Sequence, residues 1–395
     1  PGRGRLRAAL VAAQVALALV MLAGAGLLAR SLDRLVHVPL GYRAEHLTVL
    51  TLTRPVTPKA FQQQMTRLYD RSAPGIRAAP GVVSVTPVAA APFYGPQVFV
   101  TRWASDRQTD AEARQNPTMP WDVAGPDYFR TFETPILRGR AFTDGDVEGA
   151  PRVVVVSRLV AERFWPGEDP VGKRMRIVGD TSKDAWHTVV GLAGDIRYRL
   201  LRQTTPTVFV PYQQWFFQGV VAVRTRGPIA QSLPSIRASV RAAEPQASIA
   251  RVEAIDGMIA NQLALPRLST LLLASFGGTA LLLAVVGLYG VMGAAVRERA
   301  RELGIRAALG ATPGRLVARV LAQAGAIALA GSVVGIAGAL LSARLLRALL
   351  YEVSPADPVA VLGAAVVLLL TALAAAFVQA RRATRIDPVS VLRAE

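Results

Sequence analysis

Residues 167–174 read GEDPVGKR, which follows the GxxxxGK part of a nucleotide-phosphate loop and departs from it at the last position, where Arg174 replaces Ser or Thr. Such a loop works because a glycine-rich backbone turns successive N–H groups toward phosphate oxygens, a lysine reaches the outer phosphates and a hydroxyl holds the magnesium. Arg174 has no oxygen to offer a cation. Glu168 and Asp169 would set like charge against a phosphate, and Pro170 removes one of the amides that the cradle needs. An exposed turn before a strand accounts for the segment with fewer assumptions. An ATP site that the protein depends on is therefore expected elsewhere, on another chain.

The other groups with chemical capacity are sparse. His37, His46 and His187 lack the His-x-x-x-His or neighbouring carboxylate spacing of a metal site. Asp144 and Asp146, in FTDGD, resemble part of a calcium loop without its closing Glu, and a glycine turn explains them more simply. No catalytic-serine elbow is present. With no cysteine, the chain can build neither a disulfide nor a thiolate metal site. These residues assign no catalytic group, no metal and no cofactor.

The most specific segment is residues 297–310, RERARELGIRAALG. Glu302 precedes Arg306 by four positions, the favourable order for a helical ion pair, and Ala300, Leu303, Ala307 and Ala308 recur at helical spacing. The pattern predicts a short amphipathic helix that Gly310 ends, with Thr312-Pro313 opening the next one. Two uses stand open for it: lying on anionic lipid through its Arg residues, or entering a groove on a soluble partner.

The elements that would hold this helix follow from composition. The 395 residues are 52% hydrophobic and 18% charged, with mean hydropathy +0.33, too apolar for an ordinary soluble protein and long enough for two or three domains. Residues 8–29, 268–296, 320–343 and 358–380 contain no Asp, Glu, Lys or Arg, and each run exceeds the ~20 residues that cross a bilayer core. Four transmembrane helices are expected. The first run is too long for a signal peptide and lacks a convincing cleavage site, so it is read as an anchored span. A chain that opens on Pro1 rather than Met reads as a piece of something longer.

The net charge of +18 raises the question of nucleic acid, and its distribution answers it. Residues 1–7, 297–319 and 381–395 together carry +9, and all three flank spans on one side of the membrane. Excess Arg marks the cytoplasmic side, which puts both termini and the 297–319 loop inside and residues 31–266 outside. No nucleic-acid partner is expected.

The outer region opens with a strand at 46–53, a helix at 61–79 and a strand at 82–88, and closes with a strand at 219–225, a helix at 229–243 and a strand at 248–252. Two βαβ units around an insertion predict a split ferredoxin-like subdomain interrupted by a β-rich one over about 95–215, with strands at 152–156, 188–192 and 207–211. Within the spans ionisable residues are absent, so no ion path is visible. Gly331 and Gly335 form a GxxxG pair suited to close helix packing, including packing between two copies.

The segment RERARELGIRAALGAT (297–312) resembles the coupling region of FtsX-like permeases of the MacB type, and ARRATRIDPVSVLR (380–393) is similar to their closing motif. In the outer region, Asp127-Tyr128-Phe129, LRGRAFTD (137–144) and WPGEDPVGK (165–173) resemble their periplasmic core domain. The near-miss loop thus belongs to a pattern with no nucleotide role. The resemblance implies an integral membrane α-helical protein, one span plus three, with a large extracytoplasmic α+β domain. Its divisions would be 1–30, a first span with a basic flank; 31–266, the extracytoplasmic core domain; and 267–395, three spans with a cytoplasmic coupling helix and tail. It implies the second half of a duplicated permease of the acidobacterial type. It implies a bacterial inner-membrane location and the permease part of an ABC-type mechanotransmission system exporting peptides, antibiotics or lipoproteins. Glu298, Arg301, Glu302, Leu303, Arg306 and Gly310 would contact or support a separate cytoplasmic ABC ATPase. Further partners implied are a second permease half or a second copy, and a periplasmic adaptor. The rival reading is a membrane-anchored signalling protein whose outer domain binds a ligand or a cell-wall hydrolase.

Overall fold

The computed structural model describes residues 2–55, 60–93, 99–180, 186–215, 217–298 and 313–383, which divide into two compact units, 38–262 and 1–37 with 263–395.

The discontinuous unit is built on four helices: α1 (Gly2–Val36), α7 (Ile255–Glu298), α8 (Pro313–Leu346) and α9 (Pro358–Ala383). Their apolar stretches, Leu6–Val36, Ile255–Ala294, Leu321–Leu346 and Pro358–Arg381, have mean hydropathies of 2.1 to 2.7. These are four membrane-spanning helices. A helix satisfies every backbone group within itself, which hydrocarbon demands, so an uncharged run of this length has little alternative. The helices run past the apolar stretches read from sequence because their ends carry polar residues that helical geometry still tolerates.

Helix α1 packs with the others through Val11, Val15, Ala18, Leu19 and Ala23, against Leu288 of α7, Ala324 and Ala328 of α8 and Leu368 of α9. Its apolar window is 44% buried against 17% for α7, so α1 takes the more enclosed position. Leu271, Phe276, Leu283, Val333, Leu341 and Leu370 point outward, as lipid-facing residues do. Helix α9 starts with Pro358, whose missing N–H is harmless there, and Asp357 Oδ1 accepts from Val359 N (3.0 Å) and Ala360 N (3.2 Å).

The continuous unit, 38–262, contains two sheets. The first has the order β11-β1-β10-β2, wholly antiparallel, formed by β1 (Leu47–Thr53), β2 (Val82–Val88), β10 (Val220–Thr225) and β11 (Ser248–Ala254). Helices α2 (Phe61–Ala78) and α6 (Ile229–Ala243) cover one face. They approach closely at Gly75, where a Cβ would lie 2.9 Å from Ser239 Cβ. Read in chain order this is β-α-β, an insertion, then β-α-β, the split ferredoxin-like arrangement expected from the alternating strands and periodic helices.

The insertion forms the second sheet, of order β5-β8-β6-β9-β4-β3-β7. Its strands are β3 (Val100–Ser105), β4 (Thr118–Ala124), β5 (Ile136–Gly139), β6 (Val153–Ser157), β7 (Arg174–Ile177), β8 (Trp186–Ala193) and β9 (Val208–Pro211). Strand β7 also pairs with β8, so the sheet closes on itself and leaves few free edges. Three of these strands, β6, β8 and β9, were legible in the sequence; β3, β4, β5 and β7 are additions. Short helices α3 (Asp110–Gln115), α4 (Tyr128–Phe132) and α5 (Arg158–Phe164) complete the unit. An aromatic cluster joins the two sheets, with Tyr128 stacked on Phe132 at 4.6 Å and tilted against Phe209 at 5.3 Å, beside Val49 and Ala222 of the ferredoxin-like sheet.

Candidate functional site

The phosphate-loop look-alike is an ion-pair knot. Glu168 receives Arg107 in two parallel hydrogen bonds of 2.6 and 2.7 Å and also accepts from Lys173, while Asp169 accepts from Arg138 at 3.1 Å. Arg107 and then Lys173 hold the Glu168 carboxyl down at about 2. Four of the loop's amides are committed as well. Glu168 N donates to Trp165 O (3.1 Å), Val171 N to Asp169 Oδ1 (3.1 Å), Gly172 N to Val189 O (2.8 Å) and Lys173 N to Pro170 O (3.1 Å). Gly167 and Gly172, at φ +76° and +84°, supply the left-handed turns that make this possible. With these four amides and its lysine taken, and Glu168 and Asp169 setting negative charge beside them, the loop is poorly suited to cradle a phosphate.

The other sequence candidates resolve in the same way. Both oxygens of Asp146 are used, by Arg140 (2.8 and 3.0 Å) and by the Thr143 amide (2.7 Å), so FTDGD is a clasped turn. His187 is buried edge-on to Trp103 at 5.4 Å and Trp215 at 5.9 Å, and His37 lies against Asp33 O at 2.9 Å. Among the described residues no three His, Asp or Glu side chains gather as a metal would require.

Sequence reasoning missed a polar cluster where the ferredoxin-like sheet meets the inserted one. Asp122 on β4 is fully buried and accepts hydrogen bonds from Ala89 N just beyond β2 (2.6 Å) and from the Tyr128 hydroxyl (3.1 Å). Burial drives its carboxyl up to about 6, against the opposing pull of Arg199. Arg199, itself buried, donates from Nη2 to Trp121 O (3.1 Å), and Tyr198 donates to Ala90 O (2.7 Å). A lone Asp and a lone Arg in apolar surroundings carry no spacing signal, so only the fold reveals the pair.

Among the spans, Gly331 and Gly335 of α8 face α1. A Cβ on Gly331 would fall 2.7 Å from Ala12 O and from Val15 Cγ1, and one on Gly335 2.9 Å from Ala16 O and Leu19 Cβ. Within this chain the GxxxG face is therefore taken up by α1. At the other end of that helix Arg30 pairs with Asp357, and Tyr351 N donates to Ser31 Oγ at 2.8 Å, fastening α1 to the turn that precedes α9. Of the expected coupling residues, Glu298 is the last residue of α7; Arg301, Glu302, Leu303, Arg306 and Gly310 lie outside the described residues.

Comparison with known proteins adds kinship to this geometry. The family described as MacB-like periplasmic core domain matches residues 8–255, and the FtsX-like permease C-terminal family matches residues 274–388. The pyoverdine export ATP-binding/permease protein PvdT of Pseudomonas fluorescens is 28% identical over 344 residues, covering 82% of this chain and 50% of that protein. PvdT of Pseudomonas putida is 28% identical over 299 residues, 71% of this chain and 44% of that protein. The uncharacterized ABC transporter permease YknZ of Bacillus subtilis is 25% identical over 279 residues, 68% of each chain. The chain thus spans about half the length of the PvdT relatives. Among solved structures, the periplasmic region of MacB from Actinobacillus actinomycetemcomitans aligns with 58% of this chain and 97% of its own at 12% identity, with a TM-score of 0.36. Because the first family match alone takes in more than half of the chain and the second covers three of its four spans, the chain belongs to the MacB/FtsX type of ABC transporter permease, multi-pass membrane proteins with an extracytoplasmic domain.

Proposed function

We propose that this chain is the non-catalytic permease part of an ABC-type mechanotransmission machine. A separate cytoplasmic ATPase grips residues 297–310 through Glu298, Arg301, Glu302, Leu303, Arg306 and Gly310. Its closure moves the spans and reshapes the 38–262 domain, which drives export of a substrate on the outer side. The observation that carries the reading is the FtsX-like match over 274–388, which brackets the coupling segment with three spans. The names of the relatives support it further: PvdT is an ATP-binding/permease protein for pyoverdine export, and YknZ an ABC transporter permease. A second permease half or a second copy completes the membrane part, a periplasmic adaptor extends it outward, and the membrane is the bacterial inner one with both termini in the cytoplasm.

The test is the charge swap Arg301→Glu with Glu302→Arg, which keeps net charge constant. A solvent-exposed Glu–Arg pair four residues apart contributes only about 0.3–0.5 kcal/mol to a helix, so folding should survive the swap. Wrong-sign groups in a partner groove cost about 3–5 kcal/mol, so capture of the ATPase from native membranes should fall roughly 100-fold or more, with its stimulation. Unchanged capture and stimulation at normal expression would reject the coupling role and leave the segment as a lipid-surface helix. An intact ATPase complex that exports nothing would favour the signalling reading.

A further inference from the structure

Strand β11 is an edge of the ferredoxin-like sheet: it pairs with β1 and, among the described residues, with no other strand. Ser248, Ala250, Arg251 and Ala254 along it are exposed. An exposed edge offers a repeating row of main-chain donors and acceptors that another main chain matches best. The face beside this edge carries a cleft of about 570 Å³, lined by Thr51, Ala90, Phe99, Val220, Arg251 and Glu253 among others. That is the size class of clefts that take small ligands or a few residues of peptide.

Register ties the edge to the cleft. Arg251 is the cross-strand partner of Thr51, and Thr51 in turn of Val220, so these three form one row across the cleft floor. Glu253, Val49 and Ala222 form the next row on the same face. Val49 and Ala222 are buried under the aromatic cluster, so the open floor is Thr51 and Val220, and it ends at β11 in a positive and a negative side chain two residues apart. Phe99, held at φ +57°, adds an aromatic wall.

We propose that β11 and this cleft bind a linear peptide as a fifth, antiparallel strand. All three existing pairings in the sheet are antiparallel, so the added strand continues the pattern. An antiparallel neighbour would set an acidic side chain beside Arg251 and, two residues earlier in its own sequence, a basic one beside Glu253. The preferred ligand therefore reads basic-x-acidic from N to C, with small or β-branched residues between. That the peptide is cargo rests on the permease reading above; that it binds at β11 does not. The competing account is that Arg251 and Glu253 only guard the edge against unwanted pairing.

The experiment is fluorescence anisotropy on the full chain in lipid nanodiscs, without any ATPase, using labelled synthetic peptides TVKVEVT and TVEVKVT. Saturable binding of the first is expected, with the second about tenfold weaker because two cross-strand charge pairs turn from attractive to repulsive. TVKVEVT with alternate amides N-methylated, in each of the two phases, should lose binding in the phase that removes the ladder donors. The double variant Arg251→Glu/Glu253→Arg should reverse the order of the two peptides, with an unchanged tryptophan-fluorescence unfolding midpoint as its folding control. Absence of binding, equal affinity for both peptides, or full binding by both N-methylated forms overturns the proposal, the first in favour of a guarded edge. Since no ATPase is present, any of these leaves the coupling test untouched.

Discussion

Asp122 pairs a high desolvation cost with a small set of compensating bonds: Ala89 N, the Tyr128 hydroxyl and the field of Arg199. The result is a carboxyl raised from 3.8 to about 6 in the folded protein. A raised acid binds its proton more readily folded than unfolded, so its contribution to stability is greatest below about pH 4 and declines as pH climbs to about 6. A shift of this size corresponds to roughly 3 kcal/mol across that window. The Tyr128 and Tyr198 hydroxyls of the same cluster are pushed well above their usual range and stay neutral through this window. The expected outcome is that the stability difference between wild type and Asp122→Asn favours wild type increasingly as pH falls from 7 to 4. All five tryptophans, at 103, 121, 165, 186 and 215, lie in the 38–262 unit, so urea unfolding followed by tryptophan fluorescence reads this unit alone. A difference that stays flat with pH would show that Asp122 does not titrate in this range.

At the scale of elements, Gly331 decides how near α8 comes to α1. A Cβ there would sit 2.7 Å from the Ala12 carbonyl oxygen, a backbone atom that cannot rotate away, so Gly331→Ala should cost about 1–3 kcal/mol through overpacking. Gly363 on α9 has nothing within 4 Å of its would-be Cβ, and Gly363→Ala should be neutral or slightly stabilising. Unfolding of the two variants in mixed micelles of SDS and mild detergent distinguishes these outcomes. If Gly331→Ala instead altered only the oligomeric state, the glycine face would belong to a contact between copies. The same scale shows what a sequence can disclose. Spans are legible because lipid forbids charge over some twenty residues, and the two ferredoxin-like halves are legible because β1 alternates and α6 repeats at helical period. Strands β5 and β7 were missed because ILRG and RMRI are four residues long and hold Arg, and β4 because Pro120 and Asp122 interrupt it. The Asp122 cluster and the β11 cleft stayed hidden for a different reason. Their members come from strands and loops far apart in the chain, and no local spacing records that they meet.

At the scale of the whole molecule, orientation follows from where the arginines stand. Residues 1–7, 297–319 and 381–395 hold half of the net +18, and four crossings put these flanks on one side. The segment from the last turn of α8 to the start of α9, on the opposite side, balances Arg344 and Arg347 with Glu352 and Asp357, and Asp357 is further bound by Arg30 of α1. Moving a surplus of several arginines across a bilayer is far less favourable than moving a neutral turn, so the Arg-rich flanks should stay in the cytoplasm and residues 31–266 should be outside. The coupling proposal depends on this orientation, because an ATPase can reach 297–310 only from within. Since the chain has no cysteine of its own, single substitutions report cleanly. Ser182→Cys in spheroplasts should react with an impermeant maleimide, whereas Ser390→Cys should react only after lysis. Labelling of Ser390→Cys in sealed spheroplasts, with Ser182→Cys protected, would invert the topology and remove the coupling segment from the reach of any cytoplasmic partner.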